Sequence, residues 1–223
     1  MTDAAQNPEA HPKAQDKPVA VIVLAAGAGT RMKSATQKTL HSIGGRTLLS
    51  HSLHAAAGID PARIVAVIGH GRDQVGPAVA EGSKQLGREI DTAVQEQQNG
   101  TGHAVQCAME ALEGFEGTVV VTNADVPLLS PDTLRELTAT HDGASVTVLS
   151  VHQDNPTGYG RILRTNDGMV TAIVEEKDAT EKQKAITEVN SGVFAFDAAI
   201  LRDGLAQLNT CLLYTSDAAD EED

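Results

Sequence analysis

Short apolar runs alternate with longer amphipathic stretches from residue 19 onwards. Runs rich in β-branched residues predict five strands, at residues 19–24, 63–68, 90–94, 118–122 and 144–151. Apolar positions three and four apart predict helices at residues 47–57 and 102–112, and Ser130 before Pro131 marks the start of a third. Because the strand runs show little internal alternation, the pattern predicts a doubly wound α/β fold with a Rossmann-like, mostly parallel sheet.

The pattern changes in the second half of the chain. Residues 161–164 and 169–175 flank an Asn-Asp-Gly sequence at 166–168, which is typical of a tight hairpin turn. Three further elements are expected after this hairpin: a polar helix at 178–185, a strand at 192–196 and an amphipathic helix that ends at about residue 208.

The two ends of the chain differ in composition from the middle. Residues 1–18 mix polar residues, Ala and Pro without periodicity, which predicts a disordered leader. Residues 211–223 resemble the translation of a sequencing-library adaptor, and the alternative is a solvated acidic tail. We therefore expect one folded domain at residues 19–210, followed by a foreign tail.

Composition and charge narrow the choice of partner. The 223 residues carry a net charge of −13, which repels a nucleic-acid backbone, and aromatic residues for base stacking make up only 2%. The two cysteines, Cys107 and Cys211, exclude a disulfide framework. No apolar run approaches the roughly 20 residues that span a bilayer, and the N-terminus lacks the apolar segment of a signal peptide. We expect a cytoplasmic protein with neither nucleic acid nor membrane as its partner.

The first predicted strand ends in a turn of small residues, Leu24, Ala25, Ala26, Gly27, Ala28 and Gly29. Such residues let a ligand approach the backbone, whose N–H groups can bind phosphate oxygens or a base edge. Two cations follow, Arg31 and Lys38, as expected beside a polyphosphate. The turn is not a Walker A loop, because it lacks the Gly-Lys-Ser/Thr ending, and it lacks the third glycine of a dinucleotide fingerprint.

Five further sequence blocks follow in order: Gln95 with Gly100-Thr101-Gly102-His103-Ala104, then Asn123-Ala124-Asp125-Val126-Pro127-Leu128, and then residues 154–162, 173–180 and 188–192. With the glycine-rich turn, they make residues 19–209 resemble the uridylyltransferase domain of a bacterial family of bifunctional enzymes. That family combines N-acetylglucosamine-1-phosphate uridyltransferase and glucosamine-1-phosphate acetyltransferase activities. The resemblance implies a nucleotide-diphospho-sugar transferase fold.

The resemblance also implies a reaction. UMP would pass from UTP to N-acetylglucosamine 1-phosphate, giving pyrophosphate and UDP-N-acetylglucosamine, a precursor of peptidoglycan and lipopolysaccharide, with Mg²⁺ as cofactor. The attacking phosphate is already largely ionised at neutral pH, because its second pKa is about 6. No general base is needed, so we expect catalysis by positioning and charge neutralisation.

Residue roles come from the same resemblance. Arg31 and Lys38 would be catalytic, stabilising the triphosphate and the departing pyrophosphate. Asp125, at the carboxyl end of a predicted strand, would be the Mg²⁺ ligand, as suits a hard carboxylate oxygen. The nucleotide would contact Leu24, Ala25, Ala26, Gly27, Gln95, Gly100, Thr101, Asn123 and Ala124. The sugar would contact Gly160, Glu175 and Asn190.

Departures from the family pattern bear on activity. Gln37 replaces the usual proline before Lys38, and Asn123 and Ala124 replace the commoner tyrosine-glycine pair before Asp125. The family's second Mg²⁺ ligand, an asparagine, and the β-helix acetyltransferase domain through which members form homotrimers would follow residue 210. We therefore expect a domain that is incomplete at its C-terminal end and impaired in turnover.

Two other functions stay open. The chain could be another sugar-1-phosphate nucleotidyltransferase with a different base or sugar, which competition between UTP and other nucleotides would decide. It could instead be a non-catalytic nucleotide-sugar binding module, in which case Asp125→Ala would leave ligand binding unchanged and neither form would show turnover. An NAD-dependent oxidoreductase is disfavoured, because no acid for the ribose follows the second predicted strand.

Overall fold

The computed structural model describes residues 17–27, 29 and 34–208. The strands within these residues are β1 Val19–Leu24, β2 Ser42–Ile43, β3 Arg46–Thr47, β4 Arg63–Ile68, β5 Asp91–Val94, β6 Thr118–Asn123, β7 Val146–His152, β8 Arg161–Arg164, β9 Val170–Val174 and β10 Glu188–Asp197. The helices are α1 Leu48–Ala57, α2 Arg72–Leu86, α3 Gly100–Ala111, α4 Pro131–Thr140, α5 Glu181–Lys184 and α6 Ala198–Ala206, with 3₁₀ turns at Lys38–Leu40 and Glu176–Asp178. The predicted foreign tail, most of the predicted leader and Arg31 lie outside the described residues.

The first half of the main sheet is parallel, as the sequence predicts. β4 and β6 flank β1, so that Val21 lies between Ile64 and Val120, and β5 joins the outer side of β4. Strands β1, β4 and β6 are buried along most of their length, because helices cover both faces. The carboxyl ends of these strands therefore meet at one edge of the sheet.

Strand β10 makes the second half of the sheet antiparallel. One side of β10 pairs with β6 near its end and with β8 near its start, where Val189 lies opposite Arg161. Its other side pairs with β7, and β8 and β9 form the predicted hairpin. The resulting order is β5-β4-β1-β6-β10-β8-β9, with β7 against β10.

Two apolar clusters fix the sheet between its helices. The first packs α1, α2 and α4 on one face, with Leu53, Val75 and Leu134 at its centre. The second packs α3 and α6 on the other face around Leu112 and Leu201. Full burial of each such side chain stabilises the fold by about 1.5–3 kcal/mol, so the strand ends that carry the site are held rigidly.

The structure contains one helix that the sequence pattern does not predict. Helix α2 includes Pro77 and two glycines, residues that weaken a helix. It forms because Val75 and Val79 are buried against the sheet. Gly82 has a packing reason as well, since a Cβ there would lie 2.9 Å from Leu53 Cδ1.

Several predicted boundaries also move. Helix α3 begins at Gly100 rather than at residue 102, and β10 begins at Glu188 rather than at residue 192. In the part of the chain that the structure describes, every helix is too short or too polar to cross a membrane. The predicted domain limits of 19 and 210 stay a prediction.

Candidate active site

The carboxyl ends of β1 and β6 place the glycine-rich turn beside Asp125. Leu24 pairs with Asn123, the last residues of the two strands, and Ala124 N–H donates to the Leu24 carbonyl at 2.9 Å. Asp125 is the next residue after this contact. The parallel register therefore brings together two predicted site segments that lie about one hundred residues apart in sequence.

Lys38 reaches the same place from the 3₁₀ turn that it starts. Its Nζ donates to Asp125 Oδ2 at 2.6 Å, and both side chains are partly exposed. Gly29 lets the two segments approach, since its φ is +61° and a Cβ there would lie 2.7 Å from Lys38 Cβ. A cation and a carboxylate thus stand side by side at the edge of the sheet, next to backbone free of bulky side chains.

One wall of the site is formed by the ends of β4 and β5. Gln95 N–H donates to the Ile68 carbonyl at 2.8 Å, and the buried Gln95 side chain donates to the Gly100 carbonyl at 3.0 Å. A Cβ on Gly69 would lie 3.0 Å from both Ala26 Cβ and the Gln95 carbonyl. The absence of a side chain at Gly69 therefore lets the Gln95 wall close against the glycine-rich turn.

The start of α3 completes that wall. Gly100 and Thr101 are its first two residues, so their N–H groups belong to the helix N-terminus, where partial positive charge accumulates. Gln98, just before the helix, donates from Nε2 to the Ala26 carbonyl at 2.9 Å. The loop before α3 and the turn after β1 are thus tied to each other directly.

Three residues in or next to strands β8, β9 and β10 form a row on the other side of Asp125, and this row is the second wall of the site. Because Arg161 pairs with Val174 and with Val189 in antiparallel register, the adjoining residues Gly160, Glu175 and Asn190 fall side by side. Asn190 N–H donates to the Gly160 carbonyl at 2.8 Å, and a Cβ on Gly160 would lie 3.0 Å from Glu175 Oε1. We call Glu175, Gly160 and Asn190 the three-residue row.

A bulge in β10 links this row to the end of β6. The register against β7 shifts between Asn190 and Val193. Within the bulge, Gly192 has φ +77°, its N–H donates to Asn190 Oδ1 at 2.9 Å, and a Cβ there would lie 2.8 Å from Asn123 Nδ2. The row is therefore continuous with Asn123 and Ala124, and through them with Asp125.

Comparison with known proteins identifies the family of this chain. Residues 21–189 match the MobA-like NTP transferase domain. The chain belongs to that family. Similar proteins named bifunctional protein GlmU include those of Corynebacterium jeikeium (strain K411), 93% identical over 192 residues, and Rhodococcus opacus (strain B4), 60% identical over 196 residues. These matches cover 86% and 85% of this chain but only 39% of each relative, and they confirm the resemblance found in the sequence.

Solved structures confirm the fold of this NTP transferase domain. UDP-glucose pyrophosphorylase complexed with UDP-glucose superposes with a TM-score of 0.69 at 18% identity, covering 86% of this chain and 80% of that one. HddC from Yersinia pseudotuberculosis complexed with GMP-PN gives 0.65 at 23% identity, covering 82% and 79%. The predicted nucleotide-sugar transferase fold is therefore correct.

The NTP transferase domain gathers nearly all the predicted site residues at one edge of its sheet. The turn after β1, Gln95, the start of α3, residues 123–125, Lys38 and the three-residue row all lie there. Arg31 lies outside the described residues, so its predicted role stays a prediction. Among residues 17–27, 29 and 34–208, no three side chains of metal-binding type cluster together, and Asp125 is the carboxylate that adjoins the glycine-rich turn.

Two residues of this NTP transferase domain site have contacts that the sequence did not reveal. Gln98 binds the Ala26 carbonyl, and Arg161 is buried next to Gly160. Arg161 lies inside a sequence block of the family resemblance, and Gln98 lies between Gln95 and Gly100 of another. The sequence offers no signal for the burial of Arg161, because β8 both begins and ends with an arginine, and nothing local distinguishes Gln98 from its neighbour Gln97.

Proposed function

We propose that this NTP transferase domain transfers UMP from UTP to N-acetylglucosamine 1-phosphate, forming UDP-N-acetylglucosamine and pyrophosphate. The observation that carries the proposal is the position of the Lys38–Asp125 pair between two walls of different chemistry. One wall offers backbone groups and the Gln95 amide, which suit a pyrimidine edge. The other is the three-residue row, whose amide, carboxylate and N–H suit sugar hydroxyl groups.

The relatives named GlmU support the choice of base and sugar. The chain spans 39–41% of the length of the first curated relatives that it matches. The proposal therefore concerns only the transfer of UMP, because the candidate site residues for that reaction lie in this portion. The UDP-glucose complex of a structurally similar pyrophosphorylase is consistent with a bound uridine diphosphate sugar. The product would supply the synthesis of peptidoglycan and lipopolysaccharide.

The reaction needs charge neutralisation more than proton transfer. An oxygen of the sugar phosphate attacks the α-phosphorus of UTP, the bond from that phosphorus to the β-phosphate oxygen breaks, and pyrophosphate leaves with the bonding electrons. Lys38 has a flexible stem and a compact charge, so its ammonium can turn from Asp125 to the phosphates as negative charge develops. Arg31 is proposed as the second cation on the same chemical grounds.

Asp125 is the proposed ligand for Mg²⁺. Its carboxylate lies at the sheet edge, is partly exposed and already accepts a cationic partner at 2.6 Å, which fits a hard cation completed by phosphate oxygens and water. When bound, Mg²⁺ would neutralise phosphate charge. The protein itself would hold the nucleotide on one wall of the site and the sugar on the other.

Ligand titration tests the proposal most directly. Calorimetry should show UDP-N-acetylglucosamine binding more tightly than UDP-glucose, and uridine nucleotides binding more tightly than guanosine or adenosine nucleotides. Tighter binding of another base or sugar would favour a different nucleotidyltransferase. No nucleotide binding at all would refute the proposal.

A second experiment separates an enzyme from a binding module. Pyrophosphate release is measured with UTP, N-acetylglucosamine 1-phosphate and Mg²⁺, for the unaltered protein and for Asp125→Ala. We expect slow release that depends on metal and is lost in Asp125→Ala but kept in Asp132→Ala, an exposed carboxylate at the start of α4. Nucleotide-sugar binding without turnover in any of the three would indicate the module.

A further inference from the structure

A buried arginine directly follows Gly160. The Arg161 side chain is only 1% exposed, yet it carries a permanent charge. Its guanidinium donates to Glu176 Oε2 at 2.6 Å and to the carbonyl oxygens of Tyr159 and Lys184. Since burial of a charge is costly unless it is paired and hydrogen-bonded, this arginine is fixed in one geometry by three separate segments.

Glu176 connects the same segments from the other side. The carboxylate oxygen that accepts from Arg161 also accepts from Gly158 N–H at 3.3 Å, in a turn where Gly158 has φ +85°. The hydrogen bond from Arg161 lowers the pKa of Glu176 below its usual range, so the carboxylate stays charged near neutral pH. Glu176 thus ties the turn before Gly160 to the end of β9.

The sheet register brings these contacts to the three-residue row. Gly160 lies between Gly158 and Arg161 in the chain, and Glu175 immediately precedes Glu176. Arg161 is also the residue of β8 that pairs with both neighbouring strands just before Glu175 and Asn190. A shift of the Arg161–Glu176 pair would therefore move two members of the row at once.

We propose that Arg161 and Glu176 are positioning residues that set the affinity of the site for the sugar part of its ligand. They hold the Gly160 N–H and the Glu175 carboxylate at a fixed spacing, so that both can bond one sugar ring. In this role neither residue touches the substrate. The role rests on the proposed function, since it needs a nucleotide sugar in the site.

A neighbouring ion pair, which joins β8 to β10, supplies a control. Arg164, three residues further along β8, donates to both carboxylate oxygens of Glu188, at 2.6 and 2.8 Å. Arg164 also donates to the Gly168 carbonyl, in the turn at the far end of the hairpin. This pair has the same chemistry as Arg161–Glu176, but it does not hold the turn before Gly160 or the end of β9.

The experiment compares Glu176→Ala with Glu188→Ala. Calorimetry gives the affinities for UDP and for UDP-N-acetylglucosamine, and thermal unfolding shows that each variant is folded. In Glu176→Ala we expect at least a tenfold loss of affinity for UDP-N-acetylglucosamine with unchanged affinity for UDP. Glu176→Gln keeps an acceptor for Arg161 and Gly158, so we expect a smaller loss, and this variant carries the test if the alanine variant does not fold. Glu188→Ala should lower the melting temperature and leave the ratio of the two affinities unchanged.

Three results would overturn the positioning role. The first is an unchanged ratio of UDP-N-acetylglucosamine affinity to UDP affinity in both Glu176 variants. The second is an equal fall of this ratio in Glu188→Ala. The third is a loss of UDP affinity in the Glu176 variants that matches their loss of affinity for the nucleotide sugar. Failure of the unaltered protein to bind UDP is a different result, because it would refute the proposed function itself. An unaltered protein that binds both ligands separates the two cases.

Discussion

Lys38 Nζ lies 2.6 Å from Asp125 Oδ2, although the two residues are 87 positions apart in the chain. The side chains are 42% and 33% exposed, and an ion pair that solvent reaches to this extent contributes only about 0–1 kcal/mol to folding. Either residue can therefore exchange the other for a ligand at small cost. The residue proposed to bind phosphate and the residue proposed to bind metal are each other's partners.

This pairing predicts that removal of the Lys38 charge weakens the binding of nucleotide and strengthens the binding of metal. In Lys38→Met, UTP should bind about 10- to 100-fold more weakly, which corresponds to the 1.5–3 kcal/mol of a hydrogen bond to a charged group. The same variant should bind Mn²⁺ more tightly in the absence of nucleotide, because Asp125 no longer has a competing cation. Calorimetry measures the first effect, and the paramagnetic resonance signal of free Mn²⁺ measures the second.

Lys17→Met is the control for that experiment, since Lys17 pairs with Asp197 at 3.5 Å. It should change neither affinity. A fall in Mn²⁺ affinity in Lys38→Met would contradict the idea that lysine and metal compete for the same carboxylate.

A second prediction concerns Gln98 and the glycine-rich turn. Replacing Gln98 by Met removes the 2.9 Å hydrogen bond to the Ala26 carbonyl but keeps the length of the side chain. A net hydrogen bond is worth about 1 kcal/mol, so UTP affinity should fall about fivefold if the turn must be held for the base. Gln85→Met removes an amide hydrogen bond from the surface of α2 and should leave affinity unchanged. Equal UTP affinities in the two variants would show that the turn needs no such support.

Much of the site could be predicted because its residues follow predicted strands. Residues at the carboxyl ends of parallel strands must meet at one sheet edge, so Leu24 and Asp125 come together for topological reasons. The three-residue row required more, because antiparallel register decides which residues lie opposite each other. The observed bulge between Asn190 and Val193 has no local sequence signal apart from Gly192.

The features that escaped prediction depend on tertiary contacts. Helix α2 forms across Gly76 and Pro77 because Val75 and Val79 are buried, and local propensity carries no information about that burial. The charge of Arg161 suggests a solvent-facing residue until the structure shows three acceptors around it. Composition and periodicity could not supply these partners, since they come from separate segments of the chain.

A third prediction concerns a buried hydroxyl behind the site. Thr122 Oγ1, in β6, is buried and has no hydrogen-bond partner within the described part of the chain. Thr122→Val has nearly the same shape and removes the desolvated hydroxyl. We expect the free energy of unfolding to rise by about 1 kcal/mol, as measured by urea titration.

Ser52→Ala is the contrasting variant for Thr122→Val. Ser52 is also buried, but its Oγ donates to the Asn123 carbonyl at 3.1 Å. Its removal leaves that carbonyl without this donor, so the free energy of unfolding should fall by about 1 kcal/mol. If both variants were destabilised alike, the Thr122 hydroxyl would have to be satisfied in solution.

The last prediction concerns stability in acid. Hydrogen bonds from Arg164 lower the pKa of Glu188 to about 2, and Ser150 adds a further donor. Because the folded pKa is below the ordinary value of 4.5, the contribution of this carboxylate is fully present above that pH and is lost as the pH falls toward 2. Urea unfolding should thus show Glu188→Gln less stable than the unaltered protein by about 1–3 kcal/mol at pH 7, with a smaller difference at pH 3.

Glu181→Gln distinguishes this local effect from a general effect of charge removal. Glu181 is exposed and pairs with Lys184 at 3.0 Å, so its replacement should cost less than about 1 kcal/mol at either pH. The free energies of unfolding of Glu188→Gln and the unaltered protein could differ by the same amount at pH 7 and at pH 3. Such a result would mean that Glu188 stabilises β8 and β10 by packing. A difference that shrinks with acid would assign the stabilisation to its charge.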